Sequence, residues 1–363
     1  MKLIYNVFIF FVAALFSVSC SQTIVFEDPT KPDYVTYKDI SAAGTANCYI
    51  VTADGNYKFK AVKGNSNQSI SGVKRADVLW ESFGTSVAPD AGDVVSTVLY
   101  KDGYVYFSVY KPFESGNALI AVRNSNGAIL WSWHIWCSAD GVHDEVYANK
   151  AGVMMDRNLG ATYAMPGNVG TFGLLYQWGR KDPFLGNCSL STPTIAASTG
   201  EWSSVSTPQS VDYTTEHPMT FISNNFEWCA GNGANHTNYS KRWKEGEKSI
   251  YDPCPVGYRV PDGGLVGLWS KANTTSLWNS SFKGLDWTLF DGTTAWYPAA
   301  GYRSHDGGNI FLVGEFGYYW SASPFESIDY YASYLGFYYS GNVTPANVNY
   351  RGNAYSVRCA KEK

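Results

Sequence analysis

Three consecutive residues, Ser304, His305 and Asp306, carry the side chains of a hydrolase triad. Consecutive side chains diverge from the backbone and cannot form the relay of hydrogen bonds that the triad needs, so we interpret the segment as a polar turn before Gly307 and Gly308. The sequence also lacks Cys-x-x-Cys, His-Glu-x-x-His, Gly-x-Ser-x-Gly and P-loop motifs. We therefore assign no catalytic residue and expect a protein that is not an enzyme.

Aromatic and polar side chains near this turn form the strongest candidate for a binding surface. An aromatic face packs against the C–H face of a sugar ring, while Asp, Asn and Arg side chains hydrogen-bond to its hydroxyls; large amphipathic rings suit protein contacts equally well. The alternative is that tyrosines, including those from Tyr330 to Tyr339, fill the core. The candidate ligand-binding residues are Trp296, Tyr302, Arg303, His305, Asp306 and Asn309.

Metal binding and nucleic-acid binding are both disfavoured. Asp306 and Asn309 supply two oxygen ligands, whereas Ca²⁺ takes about six to eight. The chain of 363 residues has 27 Lys and Arg against 31 Asp and Glu, a net charge of −4, and contains no basic run. Nucleic-acid affinity depends on clustered basic residues that neutralise phosphates. We expect no metal, no cofactor and no nucleic-acid partner.

The N-terminus has the pattern of a bacterial export signal. An apolar run of ten residues, Val7 to Phe16, follows Met1-Lys2; it is too short to cross a ~30 Å hydrocarbon core, which takes about 20 residues. Small residues then precede Cys20, and this arrangement resembles a lipobox. Residues 1–19 are therefore predicted to be a lipoprotein signal peptide and Cys20 to be the lipidated first residue, which anchors the protein in the outer membrane.

The organisation predicted for the mature chain is a tether at residues 20–40, a β-sandwich module at 41–140, and a second domain at 150–363. Two strands, 118–122 and 128–136, flank an Asn-Gly step at 126–127 that favours a tight hairpin. Alternation in the second strand places Ile129, Trp131, Trp133 and Ile135 on one face, and Ser132 and His134 on the other. Residues 140–150 lack a strand pattern, and the best helical candidate is 264–271.

Five sequence blocks make the second domain recognisable. They are Met154–Ala161 (MMDRNLGA), Leu174–Phe184 (LLYQWGRKDPF), Tyr251–Pro261 (YDPCPVGYRVP), Tyr318–Ser323 (YYWSAS) and Arg351–Cys359 (RGNAYSVRC). In order and spacing they resemble the Fibrobacter succinogenes major paralogous domain of Bacteroidetes surface lipoproteins that are grouped with fimbrillin-like proteins. From the residues themselves, Asp156 with Arg157 and the Lys181-Asp182-Pro183 turn are predicted to serve the fold by charge-assisted hydrogen bonds and turn chemistry.

The resemblance implies a fold class that is mainly β with minor α, namely an N-terminal β-sandwich followed by a C-type-lectin-like α+β domain. Because lectin-like folds tie the final strand to an earlier element, it also implies a disulfide between Cys254 and Cys359. Pairing of Cys48, Cys137, Cys188 and Cys229 stays open, since buried thiols are equally consistent with the sequence. A relationship to formylglycine-generating enzymes requires a reactive cysteine pair, which the sequence does not identify.

The functional expectation is a non-enzymatic, lipid-anchored adhesin or ligand-binding protein at the cell surface, with the periplasmic face as the alternative location. Its expected partners are the membrane, through the lipid, and a glycan or a host or bacterial surface protein. The first alternative is an accessory or tip component of a fimbria, which contacts pilus subunits. The second alternative is an enzyme related to the formylglycine generators.

Overall fold

The computed structural model describes residues 36–190, 197–198, 200–230, 242–273 and 275–363. The predicted signal peptide, the predicted lipidation site Cys20 and most of the predicted tether lie outside these residues. Strands make up 39% of the structure and helices 6%. The predicted class, mainly β with minor α, is therefore confirmed.

Two four-stranded sheets form the N-terminal part of the described chain, and both are mostly antiparallel. Their inner faces meet in a core that contains Phe59, Phe107, Ile120, Trp133 and Ile135. The rings of Phe59 and Trp133 join the two sheets with centroids 5.1 Å apart. This packing is a β-sandwich. In spatial order its strands are β1 (Lys38–Asp39), β3 (Gly55–Lys60), β6 (Tyr104–Val109) and β5 (Thr97–Lys101) in one sheet, and β2 (Cys48–Val51), β8 (Ile129–Cys137), β7 (Gly116–Arg123) and β4 (Arg75–Ser82) in the other.

The hairpin of β7 and β8 forms where the Asn-Gly step predicts it. Gly127 adopts the left-handed region at φ 84°, and the Asn124 side chain accepts hydrogen bonds from the backbone N–H groups of Asn126 and Ala128. A register shift follows at Val122. Ile129 consequently packs into a different core cluster from Trp131, Trp133 and Ile135. Of the four residues that were predicted to share one face, Ile129 is therefore separated from the other three.

The second face of β8 is also buried, which the alternation of polar and apolar residues does not reveal. Ser132 is inaccessible and His134 is only 2% exposed, because the C-terminal part of the chain covers them. The Ser132 hydroxyl lies 2.6 Å from both the Lys181 ammonium and one oxygen of Asp182. His134 Nε2 lies 2.8 Å from the Asn117 side chain, whose amide donates to the Gly160 carbonyl. We call Asn117, Ser132, His134, Lys181 and Asp182 the polar seam.

Four sheets and several short helices form the rest of the chain. One sheet has the order β14 (Tyr258–Arg259), β24 (Ala360–Lys361), β10 (Gly152–Met155) and β9 (Asp144–Tyr147). The seven-stranded sheet has the order β19 (Ile310–Phe311), β18 (Tyr302–Arg303), β23 (Ala354–Ser356), β20 (Phe316–Pro324), β21 (Tyr331–Tyr338) and β22 (Val343–Tyr350), with β11 (Leu175–Gln177) paired to β23. The smaller sheets join β15 (Ser276–Asn279), β16 (Gly284–Thr288) and β17 (Thr294–Pro298), and β12 (Ser203–Val205) with β13 (Thr220–Ile222).

Helices are few and short. The α-helices are α1 (Val211–Glu216) and α2 (Leu268–Ala272), and 3₁₀ turns lie at Val169–Thr171 and Gly264–Val266. The helical prediction at 264–271 is confirmed as a 3₁₀ turn followed by α2. In the described residues no helix has the length and apolar character to span a membrane.

The expectation that residues 140–150 contain no strand is wrong, because β9 lies within them. The strand pattern of β9 is obscured because a polar residue, Glu145, occupies a position that faces the protein interior. Glu145 faces the buried guanidinium of Arg358 at 3.5 Å. Tyr147, two positions after Glu145 and on the same face of the strand, packs against apolar residues. An inward carboxylate that meets a buried cation hides the alternation that marks a half-buried strand.

A disulfide and a buried arginine connect segments that are separate in sequence. A disulfide joins Cys254 and Cys359 across 105 residues, the pair that the family resemblance implies. Asp156 forms a two-point contact with Arg157, with the closer N–O distance 2.8 Å, and Arg157 also donates to Ser138. These contacts agree with the structural role predicted for Asp156 and Arg157. From Tyr37 to Lys363 the chain is one compact unit.

Burial of His134 makes the stability of this unit depend on pH. Burial lowers the pKa of His134 to about 3, whereas an unfolded histidine titrates at about 6.5. The stability that neutral His134 provides is fully present above pH 6.5 and is lost as the pH falls toward the folded-state value. We expect the free energy of unfolding to fall by about 2 kcal/mol between pH 6.5 and pH 5.

Urea unfolding of His134→Gln measures this contribution. The amide is neutral at all these pH values, so the variant should lose the corresponding pH slope. His305→Gln is the matched control, since His305 lies at a partly exposed turn. An unchanged slope in His134→Gln would show that other groups cause the acid sensitivity.

Candidate functional site

The sequence candidates centre on a turn between β18 and β19. The backbone closes it through hydrogen bonds from Ser304 N to Asn309 O (2.8 Å) and from Gly308 N to Ser304 O (3.1 Å). Gly307 and Gly308 lie in the left-handed region at φ 72° and 71°. The Ser304 hydroxyl accepts a hydrogen bond from the backbone of Asp306. The segment is therefore the polar turn predicted from the sequence.

Exposed rings surround His305 on one side of this turn. Phe226 stacks on Tyr350 with centroids 4.2 Å apart and lies 5.3 Å from His305. Tyr330 lies 5.6 Å from Phe226. Phe226 is 50% exposed and Tyr330 is 38% exposed. We call Phe226, His305, Tyr330 and Tyr350 the aromatic patch.

Hydrogen bonds from neighbouring segments hold the aromatic patch in place. The buried side chain of Asn353 accepts from the backbone of His305 at 2.8 Å, and its Oδ1 lies 3.1 Å from the imidazole Nδ1. Asn224 donates its backbone N–H to the His305 carbonyl and accepts from Gly307. The segment that contains Phe226 is fixed by Gly352, whose backbone N–H donates a hydrogen bond to the Phe226 carbonyl. The turn and the segment that carries Phe226 are thus positioned together.

A cleft of about 670 Å³ is lined in part by residues 303, 307 and 308 of the same turn. Two aromatic contacts shape its wall: Phe184 lies 5.1 Å from Phe221 and 6.3 Å from Trp202, centroid to centroid. Among the described residues that line it, Arg303 is the one that carries a charge. We call this space the Arg303 cleft; it is lined by Phe184, Leu185, Ala197, Ser198, Gly200, Trp202, Ser203, Ser204, Met219, Phe221, Arg303, Gly307 and Gly308.

The guanidinium of Arg303 is held by backbone carbonyls rather than by a carboxylate. Nη1 donates to Gly308 O at 2.6 Å and Nη2 donates to Leu185 O at 3.0 Å. Nε is buried and has no hydrogen-bond partner among the residues that the structure describes. Burial lowers the pKa of Arg303 to about 10, which leaves the group cationic at neutral pH.

The remaining sequence candidates occupy different environments. Asp306 and Asn309 are exposed at the turn. Tyr302 is half-buried, and its ring lies 4.9 Å from the ring of Tyr318. It therefore packs against a neighbouring strand and supports the turn. Trp296 is only 6% exposed, and its indole lies against Gly284 in the three-stranded sheet. The buried indole is therefore not a surface platform in this structure.

Several residues of the two surfaces were not predicted. Phe226 and Tyr350 come from segments with no distinctive motif, and Trp202 follows a polar stretch. Phe184 directly follows the Lys181-Asp182-Pro183 turn, for which the sequence predicts a role in the fold. The signal that could have identified these residues is their contact with the 302–309 turn, which only the tertiary structure provides.

The described cysteines lie in environments that disfavour thiol reactivity. Burial raises the pKa of the Cys48 and Cys137 thiols, and burial also raises the pKa of Cys229 despite the nearby Arg242. Cys188 is buried. The reactive form is the thiolate, which these shifts disfavour. The described residues also contain no group of three or more His, Cys, Asp or Glu side chains arranged to hold a metal ion.

Comparison of the chain with protein-family models, curated proteins and solved structures finds no match. The resemblance to the Fibrobacter succinogenes major paralogous domain therefore stays a prediction from the sequence blocks. The two surfaces at the 302–309 turn are interpreted from their own geometry.

Proposed function

We propose that this protein is a non-enzymatic envelope lipoprotein that binds a glycan or a surface protein through the aromatic patch. The cluster of Phe226, Tyr330 and Tyr350 rings around His305, in which Phe226 stacks on Tyr350 and both Phe226 and Tyr330 are exposed, is the observation that carries the proposal. The leader and Cys20 supply the expected location, with the lipid holding the protein at the outer membrane. The proposed membership of the Fibrobacter succinogenes major paralogous family is consistent with such a surface role.

Physical chemistry favours contact with a ligand at this patch. Aromatic rings combine a large apolar area with few rotatable bonds, so they contact a partner at a low cost in conformational entropy. The exposed carboxylate of Asp306 and amide of Asn309 lie on the same turn and are available for hydrogen bonds with hydroxyl groups. Neighbouring apolar and polar groups of this kind suit a sugar ring or the side chains of a protein.

Preorganisation strengthens the case for binding. The contacts from Asn353 and Asn224 hold the turn before any ligand arrives. A surface that is already ordered loses less entropy on binding than a mobile loop does.

The raised pKa values of the buried Cys48 and Cys137 thiols disfavour the redox chemistry of the enzymatic alternative.

Replacing two rings of the patch tests its role. Phe226→Ala with Tyr330→Ala removes most of the exposed aromatic surface, and we expect at least about a tenfold loss of affinity, because each ring contributes on the order of 1 kcal/mol or more. Glycan arrays and surface-protein pull-downs identify the ligand, and calorimetry measures the affinity. Phe290→Ala is the control, because Phe290 is 73% exposed and lies outside the patch. Full binding by the double variant would exclude the patch as the binding surface.

A second candidate function, assembly into a fimbria, is favoured by the edge of the seven-stranded sheet. The strand β22 is eight residues long and ends the sheet order, with no further strand beyond it among the described residues. A strand at the edge of a sheet can accept an extended segment by strand addition, although Pro345 lacks one backbone donor there and β22 also contacts α2 and the 3₁₀ turn at Gly264–Val266. We expect co-purification with pilus subunits if this function is correct. Recovery of the protein from the envelope without any pilus subunit would contradict it.

A further inference from the structure

The cationic charge of Arg303 lacks the counter-charge that most other buried arginines have. Arg157 and Arg242 each lie within salt-bridge distance of a carboxylate, as do Arg351 and Arg358. In the part of the chain that the structure describes, no acidic side chain lies within salt-bridge distance of Arg303, and burial alone accounts for the lowering of its pKa. Arg303 is partly buried, and a partly buried cation without a counter-ion is costly, so its persistence calls for a physical explanation.

Arg180 shows how the fold satisfies a buried arginine without an ion pair. Its guanidinium donates to four oxygens, from Gln177 Oε1 and the carbonyls of Thr220, His217 and Pro218, and the charge of Asp182 favours its protonated form. Arg303 has two carbonyl partners and no such neighbouring charge. Since a guanidinium has five N–H donors, Arg303 retains donor capacity at the wall of the cleft.

The cleft has the size and the surface chemistry of a small-ligand site. Its volume of about 670 Å³ falls within the range of roughly 300 to 1,000 Å³ typical of such sites. Phe184, Trp202 and Phe221 supply apolar faces, while Ser203 and Ser204 supply hydroxyls. None of the residues that line it is acidic.

We propose that the Arg303 cleft binds a carboxylate-bearing sugar. The carboxylate supplies the missing counter-charge, because a guanidinium binds that group with charge-assisted hydrogen bonds. The aromatic walls contact the C–H face of the ring, and the serine hydroxyls bond to sugar hydroxyls. The cleft and the aromatic patch share no residue, so binding at this site does not depend on binding at the patch.

Pairs of acidic and neutral sugars test the proposal on the unaltered protein. Isothermal titration calorimetry of the full-length protein in detergent compares glucuronate with glucose, galacturonate with galactose, and N-acetylneuraminate with its methyl ester. We expect at least one acid to bind at least about tenfold more tightly than its neutral counterpart, and its affinity to fall as salt rises. Equal affinities within every pair, or no binding by any acid at millimolar concentration, would overturn the proposal.

Variants then assign the preference to Arg303. Arg303→Gln should lower the ratio of the affinity for the acid to the affinity for its neutral counterpart by about tenfold or more. Arg303→Lys should restore part of that ratio, because lysine returns the positive charge without the planar guanidinium. Arg75→Gln is the matched control, since it removes one arginine charge from an exposed ion pair in the sandwich. Circular dichroism confirms that each variant is folded. Retention of the full acid preference by folded Arg303→Gln would also overturn the proposal.

Discussion

The buried contact of Lys181 and Asp182 with Ser132 is the interaction on which the rest of the structure depends. The ammonium lies 2.7 Å from both oxygens of Asp182 and 2.6 Å from the Ser132 hydroxyl, all out of contact with water. Desolvation lowers the pKa of Lys181, and the adjacent carboxylate opposes that effect. Removing one member of such a pair leaves an isolated buried charge, which is strongly destabilising. The contact therefore requires the outer face of β8 and the 181–182 turn to stay together.

The Arg303 cleft depends on this constraint through a short chain connection. Phe184, two residues beyond Asp182, forms part of its wall. The same segment carries Leu185, whose carbonyl accepts from Arg303. The aromatic patch is held separately, because buried Asn353 orients His305 within it. The binding surfaces are thus short, exposed segments held by buried polar contacts that connect residues distant in sequence.

Local features of the fold could be predicted, and long-range ones could not. The β7–β8 hairpin and the 304–308 turn follow from Asn, Gly and Ser chemistry that acts over a few residues. The second buried face of β8 escaped prediction because Ser132 and His134 are polar, and their partners Asp182 and Asn117 are distant in sequence. Likewise, the aromatic patch unites residues 226, 305, 330 and 350, which no sequence pattern groups. The disulfide between Cys254 and Cys359 was expected only through the family resemblance.

The central claim is that the polar seam makes residues 37–363 one cooperative folding unit instead of two independent modules. Differential scanning calorimetry of the full-length protein tests this claim most directly, alongside the Asp182→Asn variant, in which the buried Lys181 loses its counter-ion. A single endotherm with equal calorimetric and van't Hoff enthalpies is expected, and it should shift as a whole to lower temperature in the variant. Two resolved endotherms, of which the substitution moves only one, would contradict the claim.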